Sequence, residues 1–481
     1  MDSSLLAALS SLLLLGLALY LARLALLGKR RRSYPPVAGV MLQQLLNWGR
    51  LPEYMTELSR RYGTFRMLTP TCNHVYTVDP ANVEYILRTN FANYGKGAMT
   101  HDALEDLLGD GIFNVDGAKW RHQRKVASFE FTTRALRDYS SGVFRDMADE
   151  LAGRRRCCGR GEGGHGEPVH AVDAGLDFHG WVRGQPGLAV RIQPRGRGVR
   201  QGVRRRQRAV AVPVLGPALE GQEAPQRLVG GGHEAAKKGD ILSRFLVERE
   251  KDPGCFDNKY LRDIILNFVI AGRDTTAGGP SWVPSVLCRE PTRQGKIARE
   301  VREATIGDHQ DAGCVQEFTA CLTEDAIGSM HSLHAALTET LRLYPAVPTD
   351  VKCCFSDDTL PDGHAVRRGD MVNYQPYAMG RMKFLWGDDA EEFRPERWLD
   401  DDGVFVPESP YKFTAFQAGP RICLGKEFAY RQMKIFAAVL LYLFRFEMWE
   451  HDSRVGHRPM LTLKMDGPLY VRASPRRSTG N

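Results

Sequence analysis

The decamer "FQAGPRICLG" (Phe416 to Gly425) and the helix-patterned run "KEFAYRQMKIFAAVLLYLF" directly behind it constrain this chain more than any other feature. A long helix begins just after Cys423. In front of it stand two glycines, an arginine and Cys423. A thiolate needs nearby positive charge, a helix N-terminus or a metal to stay deprotonated. The backbone N–H groups at the helix start supply part of that field. Gly419 and Gly425 let the backbone approach a flat ligand closely, and Arg421 can reach an acidic group. As chemistry alone this reads as a cysteine ligand beneath a large planar cofactor. A structural cysteine in a glycine-rich turn is the competing reading.

The other nine cysteines show no CxxC pairing and no regular spacing, and two pairs are adjacent, Cys157–Cys158 and Cys353–Cys354. That argues against zinc and against a disulfide framework. The N-terminus carries 19 uncharged residues, "SLLAALSSLLLLGLALYLA" (Ser4 to Ala22), enough to cross a bilayer core. Arg23 and "GKRRR" follow the apolar run. This order favours a single-span anchor with the rest of the chain cytosolic over a cleaved signal peptide.

Helical spacing recurs in "LPEYMTELSRRYG" and "DPANVEYILRTN", and "TFRML" and "HVYTV" read as short strands. From Lys237 the pattern is mostly helical through "LTETLRLYP". The fold class expected is mainly α with a minor β part, without internal repeats. The block from Ala152 to Ala236 departs from this. It holds 14 Arg against 7 Asp or Glu, nearly all of the net charge of +8, and 18 of the 48 Gly. Ser, Thr, Tyr, Asn, Met and Lys are missing from it. Its "GEGGHG" matches GxGxxG literally, but no strand precedes it and no helix follows. A neutral body with one basic insert is weak support for a nucleic-acid protein.

Five motifs stand together. "FQAGPRICLG" fits F-x-x-G-x-R-x-C-x-G at every fixed position. "ETLR" gives E-x-x-R, with Glu339 and Arg342 one turn apart. "FRPERW" supplies Arg397, "AGRDTT" spans Ala271 to Thr276, and "WRHQR" gives W-x-x-x-R with Trp120 and Arg124. In this set the chain resembles the cytochrome P-450 superfamily over roughly Tyr34 to Tyr139 and from Lys237 onward. The stretches "FANYGKG", "NYQPYAMGRMKFLWGDDAEEFRPERW" and "FQAGPRICLGKEFAYRQMK" resemble the plant branch that hydroxylates fatty acids at or near the ω-carbon.

The resemblance implies a triangular helical prism with small β-sheets behind one N-terminal transmembrane helix. Residues 1–28 would be the anchor, 29–39 a basic, proline-rich linker and 40–481 the catalytic domain. It implies heme b with Cys423 as the iron ligand, and Phe416, Gly419 and Gly425 in the cofactor loop. Arg421, Trp120 and Arg124 would meet the propionates. Asp274 and Thr275 would relay protons to dioxygen, and Glu339, Arg342 and Arg397 would hold the scaffold behind the heme. Ala271, Val347 and Pro348 would face the substrate. Without a flavin or nicotinamide fingerprint in the chain, NADPH would act through a membrane-bound cytochrome P-450 reductase at the endoplasmic reticulum. The implied reaction is monooxygenation of long-chain fatty acids, with no nucleic-acid partner.

Two departures from the family pattern carry their own expectations. Residues 152–236 replace text that should encode several amphipathic helices. The missing residue types have A- or T-containing codons, as an out-of-frame reading of GC-rich DNA would produce, so the block is expected to be disordered or poorly folded. Pro280 and Pro284 each cost a helix about 3 kcal/mol or more, so the oxygen-activating helix is expected to end or kink just after Thr276. Three other functions stay open: a reductase-independent heme-thiolate isomerase, an inactive remnant of the family, and an RNA-binding protein using Arg195 to Arg208.

Overall fold

A computed structural model describes residues 33–131, 241–251, 256–307, 315–448, 456–458, 461–466, 469 and 471–476. The expected anchor, the basic cluster of the linker and the block 152–236 lie outside these residues. Among the described residues no helix is long and apolar enough to cross a membrane. The chain forms two compact units. One takes the N-terminal part to Asp102 with Pro348–Ala390 and Ser409–Ile422; the other takes Ala103–Val347, Glu391–Glu408 and Cys423–Asn481.

The first unit is built on a mixed sheet of six strands: β1 (Val37–Val40), β2 (Thr64–Leu68), β3 (Asn73–Thr77), β4 (Tyr94–Gly95), β5 (Asp350–Cys354) and β6 (Met371–Tyr374). The strand order is β1-β2-β3-β6-β5-β4. β2 and β3 are the strands read from "TFRML" and "HVYTV", joined as an antiparallel pair. Phe65 lies opposite Tyr76 in that register, and the two rings stack at 5.4 Å. Such cross-strand aromatic pairs hold a register, because a one-residue slip would carry one of the two rings to the opposite face and unstack them. Every residue of β2 is buried, Arg66 included. Its Nε donates to the Pro35 carbonyl at 3.0 Å, and its guanidinium lies over the Tyr34 ring. Helix α1 (Leu51–Tyr62) follows "LPEYMTELSRRY" with Pro52 in its first turn and ends at Gly63, whose φ of 66° closes it. Helix α2 (Pro80–Glu84) starts where Asp79 accepts from the Ala81 N–H at 2.8 Å, the Asp-Pro start expected.

The second unit is helical. It contains α3 (Gly117–Phe131), α4 (Asn258–Leu287), α5 (Pro291–Thr305), α6 (His331–Leu343) and α7 (Lys426–Leu443). The small antiparallel pair β7 (Phe444–Met448) and β8 (Val471–Pro475) also belongs to it. In α7 the ten residues from Gln432 to Leu441 are all buried. Each large aliphatic or aromatic side chain buried there contributes about 1.5–3 kcal/mol. The one cation among them, Lys434, donates to the Ile327 carbonyl at 2.8 Å, and burial pushes it down to about 8.

The mainly helical architecture with small sheets is the one expected. The end of the oxygen-activating helix is not. α4 runs without interruption from Asn258 to Leu287, through both Pro280 and Pro284. Its last turns bury Trp282, Val283, Val286 and Leu287. The Trp282 ring stacks on Tyr344 at 4.1 Å and 5°. Tertiary packing of this size offsets the lost backbone bonds, as it commonly overrides local propensity.

His334 on α6 lies between Phe405 (ring centroids 4.0 Å apart) and Tyr430 (4.4 Å). Burial, then the charges of Lys434 and Lys426, pushes it down to about 3. The unfolded chain therefore binds this proton between pH 6.5 and 3 while the folded chain does not. Stability is full above pH 6.5 and falls as the pH drops through that window. By pH 5 this one group should cost about 2 kcal/mol. His334→Phe should flatten the urea midpoint between pH 7 and 5, and an unchanged slope would show that other groups dominate.

Candidate active site

Cys423 reaches its position through a loop that tolerates few side chains. Gln417 is the one non-glycine residue with positive φ (59°) among the described residues. Gly419 follows at φ 65°, and a Cβ there would stand 2.1 Å from the Leu87 carbonyl oxygen. From sequence, this glycine is expected to allow close approach by a flat ligand. Its demonstrable constraint is the protein's own backbone, together with a φ only glycine takes freely. A short 3-10 turn, Gly419–Arg421, leads to Ile422, and the chain enters α7 with Gly425 as N-cap. A Cβ on Gly425 would lie 3.9 Å from the Cys423 sulfur and 3.6 Å from Phe131, filling the space beside the thiol.

The Cys423 side chain is exposed. Enough protein nevertheless surrounds it that desolvation raises its thiol above the ordinary value. Three groups oppose that rise: the Gly425 N–H, which donates to the sulfur, and the cations of Arg124 and Lys426. The bare area and the raised thiol are compatible, because one face of the sulfur can be open while protein crowds the others. An exposed sulfur with an amide donor and two nearby cations is the donor set of a thiolate–metal bond. The residues fit a thiolate-bound cofactor.

α3 delivers Trp120 and Arg124 on one face, with the guanidinium 6.0 Å from the indole. Trp120 is buried. Burial lowers Arg124 somewhat and Cys423 opposes it, so the arginine and the sulfur feel each other within this unit. On α4, Ala271 and Thr275 are partly buried, and the Thr275 hydroxyl donates to the Ala271 carbonyl at 2.5 Å. That bond fixes the rotor and presents the hydroxyl oxygen as an acceptor. Asp274 is on the same helix; its side chain lies outside the described residues. Val347 and Pro348, just after α6, are both partly buried, as is Phe416.

The E-x-x-R pair forms a buried, hydrogen-bonded ionic group in the second unit. Glu339 is fully buried. Its Oε2 accepts from Arg342 Nε at 2.7 Å and from Trp398 Nε1 at 2.9 Å. Its Oε1 accepts from the second Arg342 nitrogen at 2.7 Å, from Arg397 Nε at 3.0 Å and from the Arg394 backbone N–H at 2.9 Å. The expected Glu–Arg–Arg cluster is thus assembled. Trp398 and the Arg394 amide are donors the sequence reading missed, although both lie in the quoted "FRPERW".

The first unit holds a second buried cluster. Asp350 accepts from Lys352 Nζ at 2.8 Å, from Lys96 Nζ at 3.1 Å and from the Tyr374 hydroxyl at 2.7 Å. The two ammonium groups hold its carboxyl well below the usual range despite burial. Burial depresses Lys352, and the Arg421 charge pushes the same way. Local spacing carries no signal for this cluster, because Lys96 and Asp350 are 254 positions apart.

The family model of cytochrome P450 matches residues 33–160 and 223–467, and the chain belongs to that family. It is a cytochrome P450 monooxygenase, and membership implies a heme-iron cofactor. Among its relatives are cytochrome P450 704C1 of Pinus taeda, 43% identical over 97% of each chain, and cytochrome P450 704B1 of Arabidopsis thaliana, 38% identical over 93% of this chain and 96% of the relative. Cytochrome P450 94C1 of Arabidopsis thaliana is 35% identical over 89% of this chain and 90% of its own. The superfamily expected from the five motifs is thereby confirmed, with relatives in plants.

Proposed function

We propose that this cytochrome P450 hydroxylates long-chain fatty acids at or near the ω-carbon, anchored by residues 1–28 in the endoplasmic reticulum membrane. Electrons from NADPH would arrive through a separate reductase. The observation that carries the reading is the exposed Cys423 sulfur just before α7, where the Gly425 amide and the Arg124 charge favour the thiolate. When bound, heme supplies dioxygen activation and oxygen insertion into an unactivated C–H bond.

The residues of this chain divide the remaining work. Cys423 holds the iron, and Trp120, Arg124 and Arg421 hold the acidic edge of the cofactor, with Phe416, Gly419 and Gly425 shaping its loop. The Thr275 oxygen, its own proton engaged by the Ala271 carbonyl, accepts from a proton-bearing group. Asp274 passes protons inward from solvent. Ala271, Val347 and Pro348 face the alkyl chain, where burial of each methylene contributes about 0.8 kcal/mol. Glu339, Arg342 and Arg397 keep the scaffold in place. The similarity of "FANYGKG" and of Asn373 to Trp398 to the plant fatty-acid branch supports the substrate class.

The family model leaves residues 161–222 between its two matched stretches. This supports an out-of-frame or mis-spliced origin for the arginine-rich block; sequencing of the native transcript tests it, and an in-frame match would overturn it. For function, the full chain is expressed and the carbon monoxide difference spectrum of the reduced protein recorded. A red-shifted band with NADPH- and reductase-dependent ω-oxidation of dodecanoic acid is expected. A red-shifted band without oxidation of dodecanoic or hexadecanoic acid would overturn the substrate. Turnover without reductase would favour the isomerase, and an unshifted band or no heme would favour the inactive remnant.

A further inference from the structure

Asp263, Asn267, Ala271 and Thr275 recur every fourth residue on α4, which stacks them along one side of the helix. The last two belong to the proposed site. The first two are buried, at 1% and 0% exposure, and the mechanism does not use them. Both reach into the loop that joins Leu108 to α3. The Asn267 amide donates to the Leu108 carbonyl and to the Asp263 carbonyl, each at 2.8 Å. Its oxygen accepts from the Phe113 N–H at 3.1 Å. The Asp263 carboxylate accepts from the Asp110 N–H at 3.0 Å, while Arg262 donates to its other oxygen at 2.7 and 3.0 Å.

The loop is shaped for these two side chains. A Cβ on Gly109, whose φ is 49°, would stand 2.1 Å from an Asp263 oxygen. One on Gly111 would stand 1.9 Å from the Asn267 amide nitrogen. On its other side the loop is fastened to α3: Gln123 donates to the Asp110 carbonyl at 2.7 Å, and Lys119 pairs with the Asp110 carboxylate at 2.8 Å. Asp110 is therefore a junction, with its amide on α4 and its carbonyl and carboxylate on α3.

We propose that Asp263 and Asn267 are positioning residues that fasten this loop to α4 and so fix α3, with Trp120 and Arg124, in register with Ala271 and Thr275. Asn267 is eight residues, about 12 Å along the axis, from Thr275. Asparagine is a poor helix former, and its buried amide costs free energy unless bonded. Leucine or alanine would suit the helix better by itself. What the amide adds is the tie to the loop. The inference rests on the roles proposed above for α3 and α4.

The test uses the full, heme-loaded chain with Asn267→Ala, Gly111→Ala and the double variant. Amide hydrogen exchange at Phe113, which donates to Asn267, should quicken about 10- to 100-fold in each single variant, the scale of a lost buried hydrogen bond, and exchange at Asp110, held by Asp263, should quicken less, as the loop loosens. The kcat for dodecanoic acid should fall about tenfold with a broadened set of hydroxylation positions, while KM changes less and the red-shifted carbon monoxide band stays. Because both substitutions break one contact, the double variant should be no worse than the worse single. Unchanged exchange at both amides, or a lowered melting temperature with the product positions preserved, would overturn the proposal. If Asn267→Ala does not fold, Asn267→Ser takes its place under the same criteria. If the unsubstituted protein leaves dodecanoic acid untouched, the substrate reading fails, and the exchange rates with the double-variant comparison decide the positioning role alone.

Discussion

Glu339→Gln is expected to destabilise the folded protein by about 3–5 kcal/mol, the cost of breaking a buried ion pair from one side. The carboxylate takes five hydrogen bonds from four residues: two from Arg342, one each from Arg397 and Trp398, and one from the Arg394 amide. Glutamine keeps the shape but turns an NH2 group toward donors, so one side of the cluster becomes donor against donor. Arg342, whose side chain is 1% exposed, would then face a neutral group where the carboxylate charge stood. Arg342→Lys should cost nearly as much. A single ammonium cannot span both carboxylate oxygens, and it also gives up the bond to the Glu392 carbonyl. Arg397→Ala should cost least of the three, because its side chain is 11% exposed and its charge is less deeply buried than that of Arg342. The order of urea midpoints, E339Q and R342K together well below R397A, is the measurement. Equal effects at all three positions would mean that the cluster acts through bulk charge and not through bond count.

Much of this arrangement is legible in the sequence, for a physical reason. Glu339 and Arg342 are neighbours on one helix, Trp120 and Arg124 on another, and Cys423 directly precedes a third, so local spacing alone places them. β2 and β3 show themselves by composition and by the short turn between them. Pairings across long sequence separations are not legible in this way. Lys96 meets Asp350, and Asn267 meets Phe113, only because the fold brings them together. The glycines of the loop at 109–111 give half of a signal, since they mark a close approach without naming what approaches. Pro280 and Pro284 mislead in the opposite sense. A rule that holds for an isolated helix predicts a break, and burial of Trp282 against Tyr344 outweighs it.

Cys423→Ala is expected to abolish the red-shifted carbon monoxide band and to lower monooxygenation at least about a thousandfold, near 4 kcal/mol of activation free energy. The fold should survive. Cys423 has one open face, and alanine removes only the sulfur, so the unfolding free energy of the heme-free chain should stay within about 1 kcal/mol of the parent. This separates the substitution from Glu339→Gln, where stability itself falls. A second variant asks whether the surroundings of the sulfur matter as the geometry implies. Arg124 and Lys426 both favour the thiolate, against a desolvation that raises the thiol. Arg124→Ala removes one cation, so the thiol should titrate higher still. Iodoacetamide labelling of Cys423 in the heme-free chain, followed by mass spectrometry against pH, should then shift to more alkaline pH. An unshifted labelling profile would remove Arg124 from the electrostatics of the sulfur and leave the Gly425 amide and Lys426 as the groups that hold its charge.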